Sequence, residues 1–569
     1  MNITSKYTLI IFCVVLFVPI RIEAQTKESA TIENQIDAIF STYENKPGCA
    51  LAVIKNGETL FQKGYGLANL EYENPVTAQT VFDANAVAKQ ITAACVFLLE
   101  EEGKLSLDDP IQKFFPEFPE YDEGSITVKN LIYQSSGLRS YLAILYAQHR
   151  YFGDKINNGK VLKLVGNQLN LNFQPGSKSE YSHTNYALLS SIIEKVSGKK
   201  MAAYAKEKLF DPLHMTSTFF IDNPNRVIKK RALAYEQEGD DFVRNHFFNS
   251  SVIGDGGLET NLEDLVRWNN NLNSAGIGEN NLMTKMVTSG TLNSGAATNY
   301  AGGVFLQNHY DIEGLPTVRH SGEWAGFRSL YYKFLEQDIS FIILSNNANT
   351  NVWALLDRLT PLFLEDEIAT AQAAAPMNKA SKLKAVRLST NEKRKFDGSY
   401  YNMVNGNVRS IALRNDTLFY KRSPNAPGTH LFAVSRSALV FKIAPELKLS
   451  FNPQNFKTIT LTFNEQNPET FQKYEKYDHS KEELKEYEKE YYNKDCEVVY
   501  QIAATDTGLS IFVADEELVS LTSMGRDMFR EEHFGYIKFN RDDSGNIDGF
   551  SRQDNTFTNL KFHRIKTSS

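Results

Sequence analysis

Three short stretches of the chain carry side chains able to move protons. Lys89 sits in "FDANAVAKQITAACVFLLEEEGKLSLDDP", which begins at Phe82. Tyr181, Ser182 and His183 follow the turn at Pro175-Gly176 and precede the apolar run "YALLSSII". His320, Ser321 and Gly322 lie in "RHSGEWAGFRSLYY", with Gly326 and a strand-like run behind them. An amine, a phenol and two imidazoles together offer general acid and base chemistry. A nucleophile is harder to find. No Ser or Thr occurs between Phe82 and Lys89, and the nearest hydroxyls, Ser182 and Ser321, have no Lys three residues on to act as a paired base. Taken singly, each stretch also has a structural reading: an exposed helix lysine, a core tyrosine, a buried histidine.

These residues need elements to hold them. From Ala88 to Glu102 the chain reads as a helix, with Ile91, Cys95 and Leu98 on one stripe and Gly103 as its stop. "CALAVIKNGETLFQKGYG" is two apolar runs around Asn56-Gly57, a strong hairpin signal. Thr260 and Glu263 have the spacing of a capping box opening the helix "TNLEDLVRW". "DISFIILSNNAN" reads as a core strand after "SLYYKFL". Residues 31–366 are therefore expected to form an α+β domain, an antiparallel sheet flanked by helices. Residues 367–390 lose apolar periodicity, turn Ala- and Lys-rich, and read as a linker.

Beyond the linker the chain is β-rich and weakly repetitive. "FDGSYYN" at Phe396 matches "YEKEYYN" at Tyr487, each followed by hairpin-like pairs. Two half-barrels would expose strand edges, so the expectation is one all-β lipocalin-like barrel built from residues 391–480 and 481–569. "DDSGNID" looks like a calcium loop, but Ile547 and Gln553 stand where the loop needs Gly and Glu, so it reads as a hairpin turn.

Composition bounds the function. The 569 residues are 42% hydrophobic and 23% charged, an ordinary globular balance with material for several domains. Residues 1–24 read as a signal peptide, with Lys6, an apolar run from Leu9 to Ile20 and Ala24 at the cleavage point. The run is shorter than the ~20 residues of a spanning helix, so no stable membrane span is expected after cleavage. The protein is expected to be secreted or periplasmic. The net charge of −7 becomes −8 when Lys6, Arg21 and Glu23 are lost, which gives nucleic acid no attraction. Cys49, Cys95 and Cys496 then remain, an odd number that implies no disulfide framework. Ten scattered histidines form no His-x-x-x-His pair, and the cysteines no Cys-x-x-Cys pair, so neither a metal nor a cofactor is expected.

In order and surroundings, the three stretches resemble the serine β-lactamase and penicillin-recognising family, particularly its class C β-lactamase, DD-peptidase and esterase branch. Its motifs are Ser-x-x-Lys, Tyr-x-Asn and Lys/His-x-Gly. The likeness runs from about Ile32 to Leu364 and includes "EEGKLSLDDPI", "LIYQSSGL" and "GDGGLETNLEDLVRW". It implies acyl transfer through a serine at the head of a helix, with Lys and Tyr as proton-transfer partners and backbone N–H groups as an oxyanion hole. Carried over position by position, it puts Ala86 in the nucleophile slot, Lys89 beside it and Tyr181 as the base. The N–H groups of Ala86 and Glu323 become the oxyanion donors, and His183, His320, Ser321 and Gly322 the binding wall. His183 replaces the family's Asn. A methyl group cannot attack a carbonyl, so the resemblance implies a non-catalytic pseudoenzyme that binds a small peptide or acyl ligand, cell-wall derived, without covalent chemistry. Two alternatives stand beside it: a hydrolase using another nucleophile or an activated water held by Tyr181, Lys89 and His183, and an interaction module acting through the barrel.

Overall fold

The computed structural model describes residues 31–565 apart from 151–154, 246–249, 275–276, 279–281, 309–313, 375–383, 405, 423–427, 443–446, 464–465, 507, 532 and 555. The signal-peptide reading of residues 1–24 lies outside the described residues. Among the described residues no helix is long and apolar enough to cross a membrane.

The first domain is built on a six-stranded antiparallel sheet. Its strands are β1 (Cys49–Lys55), β2 (Glu58–Tyr65), β3 (Phe305–Asn308), β4 (Pro316–Trp324), β5 (Phe327–Phe334) and β6 (Ile339–Ser345). Their order across the sheet is β3-β4-β5-β6-β1-β2. The β1–β2 hairpin turns at Asn56 and Gly57, whose φ values of 53° and 79° are those a two-residue turn of this hand requires. The β4–β5 hairpin does the same with Ala325 and Gly326, at φ 48° and 81°. β1 and β6 are almost wholly buried because helices cover both faces of the sheet.

The helices nearest the site are α1 (Ala88–Glu101), α2 (Tyr141–Ala147), α3 (Asn158–Gly166) and α4 (His183–Ser197), which share one apolar cluster with Ala50, Ala52 and Ile54 of β1. Every residue of α1 from Ala88 to Leu99 is buried. A helix buried all round needs neighbours on every side, and α1 has α4 and the helices Leu282–Val287 and Met201–Ala205. The expected capping box does not form, and the N-cap moves on by one residue. Asn261 accepts from the Asp264 N–H at 2.9 Å to open the helix Leu262–Ser274, while Thr260 ends a strand and its hydroxyl bonds Thr218 at 2.7 Å. Cross-strand pairing took the residue that local spacing assigned to the cap.

The segment read as a linker is helical at both ends. Helix Pro361–Ala374, bent at Leu364, runs through its first residues, and Ser389 and Glu392 form a capping box for the helix Thr390–Arg394 at its end.

The C-terminal region is all-β barrel, but two barrels, not one. Strands from Gly398–Asn402 to Gln466–Tyr474 close on each other, and so do strands from Glu490–Asn493 to Leu560–Arg564, eight in each barrel. Each repeat therefore removes its own edges. Eight strands leave an interior that side chains fill, here with Phe396, Tyr400, Leu439, Phe451 and Phe471 in the first barrel. The repeat is visible in detail: the Tyr400 hydroxyl donates to the Phe396 carbonyl at 2.9 Å, and Tyr491 to the Tyr487 carbonyl at 3.1 Å. At the turn after Arg541, the Asp542 carboxylate accepts from the N–H groups of Ser544 and Asn546, both at 2.9 Å, closing a hairpin.

The second barrel docks on α2 and α3. Ile144 and Ala147 are buried in one apolar cluster with Leu484, Cys496 and Val498. Arg139 meets Asp495 at 2.9 Å with both side chains almost out of water, and Asn172 exchanges hydrogen bonds with the backbone of Thr556 and Thr558 at 2.8 and 3.0 Å.

Candidate active site

A cavity of about 120 Å³ opens where α1, α4 and the β4–β5 hairpin converge, and Asn85, Ala86, Tyr141, His183, Asp255, Glu323 and Phe327 lie on its wall. Ala86 stands in a single 3-10 turn, Asn85–Val87, that leads into α1. Asn85 takes a left-handed φ of 51° to make that turn, so the backbone presents Ala86 at the helix N-terminus facing the cavity. β4 runs hard against it: a Cβ on Gly322 would stand 2.5 Å from the Asn85 Cβ and 2.4 Å from the Ser329 Oγ. Only glycine permits that approach. Ala86 and Glu323, the two residues whose N–H groups the resemblance makes oxyanion donors, thus lie on one cavity.

Lys89, one turn into α1, is fully buried. Its ammonium donates to the Asp255 carbonyl at 2.5 Å and sits 5.1 Å from the centre of the Tyr181 ring. Burial, partly offset by the Asp255 charge, pulls the amine down to about 8. Tyr181 packs between Phe305 at 5.8 Å, His320 at 5.8 Å and His183 at 5.2 Å. Burial and the Asp255 carboxylate hold its phenol well above its ordinary range.

The two histidines differ in what their nitrogens do. His320 is buried. Its Nδ1 donates to the Ser321 carbonyl at 2.8 Å, which leaves Nε2 to accept from the Tyr300 hydroxyl at 3.1 Å. Burial and Lys89 hold it neutral. His183 begins α4 and contacts Asp255 through Nδ1, 3.0 Å from Oδ2. The same carboxylate oxygen accepts from the Tyr141 hydroxyl at 3.1 Å. Burial works against the Asp255 charge, and the His183 hydrogen bond and Lys89 outweigh it, so the carboxyl titrates below its usual range. Burial and Lys89 lower His183 against the pull of Asp255.

The structure thus places Ala86, His183 and Glu323 on the cavity wall, with Lys89, Tyr181, His320 and Gly322 packed behind it. It separates the hydroxyls of Ser182 and Ser321 from that wall. Ser321 falls on the opposite pleat from His320 and Gly322, because side chains alternate along β4. Ser182 is buried and has no hydroxyl partner among the described residues, and it is absent from the cavity wall. Glu323 points its exposed carboxylate at Arg328, 2.7 Å away.

Asp255, Tyr141 and the buried acidic pair Asp83 and Glu259 are absent from the sequence reading. Asp255 lay inside "GDGG", which reads locally as a tight turn, and no spacing ties it to a histidine 72 residues earlier. Asp83 and Glu259 stand directly opposite each other on paired strands, with Arg231 2.5 Å from Glu259. Burial pushes Asp83 up to about 6 and, with Asp83 beside it, Glu259 up to about 8. Two carboxyls sharing one arginine retain a proton. Among the described residues no group of three or more His, Cys, Asp or Glu could hold a metal ion.

The family model for Beta-lactamase matches residues 36–360. The chain belongs to the beta-lactamase family. Relatives include a D-aminopeptidase of Gluconobacter oxydans, 26% identical over 324 residues that cover 56% of this chain and 59% of that protein. Penicillin-binding protein 4* of Bacillus subtilis is 27% identical over 55% of this chain and 71% of its own length. The chain thus spans less than two thirds of the first of these relatives. Among solved structures, the octameric penicillin-binding protein homologue from Pyrococcus abyssi has a TM-score of 0.53 at 21% identity, covering 78% of this chain and 99% of that one. Such likeness carries the fold of the family domain; this chain's site must be read from its own residues.

Proposed function

We propose that this chain is an extracytoplasmic, secreted or periplasmic member of the beta-lactamase family that has lost acyl-serine catalysis and uses its cleft to bind a small peptide or acyl ligand, cell-wall derived, non-covalently. The observation that carries this is Ala86: a methyl group occupies the helix-head position on the cavity wall, neither Ser182 nor Ser321 reaches that wall, and Ser250, which does, accepts from the Val252 N–H at 3.4 Å with no lysine or histidine bonded to it among the described residues. Removing such a nucleophile from a serine hydrolase costs roughly 10⁶ in turnover and leaves binding and the oxyanion hole in place. Lys89, Tyr181 and the Gly322 approach are kept, so the frame for a bound carbonyl persists. The relatives named as a D-aminopeptidase and a penicillin-binding protein direct the ligand class toward peptides and β-lactam-like acyl compounds.

The test is intact-mass measurement of the mature protein after incubation with a β-lactam and an activated ester, beside Ala86→Ser. The expected result is an adduct on the serine variant alone. An adduct on the unmodified protein overturns the reading, and peptide mapping then names the nucleophile.

A further inference from the structure

We infer that His183 and Asp255 form a general-base pair that hydrolyses activated esters by direct attack of water, with no acyl-enzyme. This rests on the reading above that a ligand carbonyl binds beside Ala86. His183, Asp255 and Ala86 line the same cavity. Asp255 is buried and ionised, and a carboxylate only accepts, so the 3.0 Å contact places a proton on His183 Nδ1 and leaves the Nε2 lone pair as the base. The His183 side chain keeps 30% of its surface, so the ring is reachable. The other groups are committed. Both nitrogens of His320 are engaged, Lys89 donates to the Asp255 carbonyl, and Tyr181 holds its proton. An alanine where the family has serine also removes one oxygen from the cavity wall, room that water can take.

The step balances without a further reactant. Water's oxygen bonds to the ester carbonyl carbon as one of its protons passes to His183 Nε2, and Asp255 stabilises the imidazolium. The carbonyl oxygen gathers charge at the head of α1. Collapse re-forms the carbonyl and breaks the bond to the leaving oxygen, which departs from an activated ester as a weakly basic aryl oxide, and Nε2 returns its proton to solvent. The products are a carboxylic acid, which ionises to solvent, and the aryl oxide. Besides Asp255, the groups facing His183 are Lys89 from α1, Tyr141 from α2, His320 from β4 and its neighbour Tyr181.

The experiment follows p-nitrophenyl acetate hydrolysis by the full mature chain, with His183→Asn and Asp255→Asn, each checked for native near-ultraviolet dichroism. Intact mass is recorded in the same tubes. The expected result is turnover above buffer with no adduct, reduced about 10²-fold or more in kcat by either change. The wild-type rate should be flat through neutral pH and fall only below the ordinary histidine value of 6.5, since the folded value is lowered. Turnover equal in wild type and His183→Asn, or no turnover, overturns the inference. The binding reading then stands or falls separately, on calorimetric titration of acetyl-D-alanyl-D-alanine and on the mass data.

Discussion

Tyr141 donates its hydroxyl to the Asp255 carboxylate at 3.1 Å, on the oxygen that His183 reaches at 3.0 Å. The relationship reaches beyond the cavity, because Tyr141 opens α2 and the far end of that helix, Ile144 and Ala147, is buried against the second barrel. The barrel thus anchors the element that steadies the dyad.

Tyr141→Phe removes one donor from a buried carboxylate, and about 1.5–3 kcal/mol of stability should be lost in denaturant unfolding at pH 7. Asp255 is depressed in the folded state, so its contribution is present above its unfolded value of 3.8 and disappears as pH falls through the folded one. The variant should therefore begin to acid-denature at a higher pH than the wild type.

Arg139 and Asp495 tie the first domain to the second barrel with side chains 2% and 10% exposed. Arg139→Ala strands a buried carboxylate, and a loss of roughly 3–5 kcal/mol is expected. Arg139→Met with Asp495→Leu should recover most of it. Failure of the double variant to recover would show that the hydrogen bonds of Arg139 to Gln168 and the Asn170 carbonyl matter more than the charge pair.

Burial and the neighbouring Asp83 hold the Glu259 carboxyl above its ordinary value of 4.5 in the folded protein. The folded state then holds a proton the unfolded chain has released, so stability falls as pH rises from 4.5 through the higher folded value. Glu259→Gln keeps the shape without the charge. It should flatten that decline and raise the melting temperature at pH 9 more than at pH 5, read by calorimetry across pH.

Gly322→Ala drives a methyl into Asn85 and Ser329. Overpacking of this kind costs about 1–3 kcal/mol. Because the clash lies against the turn that presents Ala86, an Ala86→Ser protein carrying Gly322→Ala should acylate more slowly than Ala86→Ser alone. Equal rates would separate β4 from the site.

Much of the frame is local and was legible in the sequence. Asn56-Gly57 turns because those two residues tolerate positive φ, α1 forms because its apolar stripe and Gly103 define it, and Ala86 is unreactive whatever surrounds it. The family likewise follows from motif order. Contacts made across long stretches of chain were not legible. Asp255 reaches His183 across 72 residues and Lys89 across 166, and Glu259 meets Asp83 only because two short strands pair. The same limit explains the barrels. "FDGSYYN" and "YEKEYYN" announce a repeat, but whether each repeat closes alone depends on Gly398–Asn402 pairing with Gln466–Tyr474, and Glu490–Asn493 with Leu560–Arg564. Periodicity records which face of an element is buried; the neighbour that buries it is chosen by the whole fold.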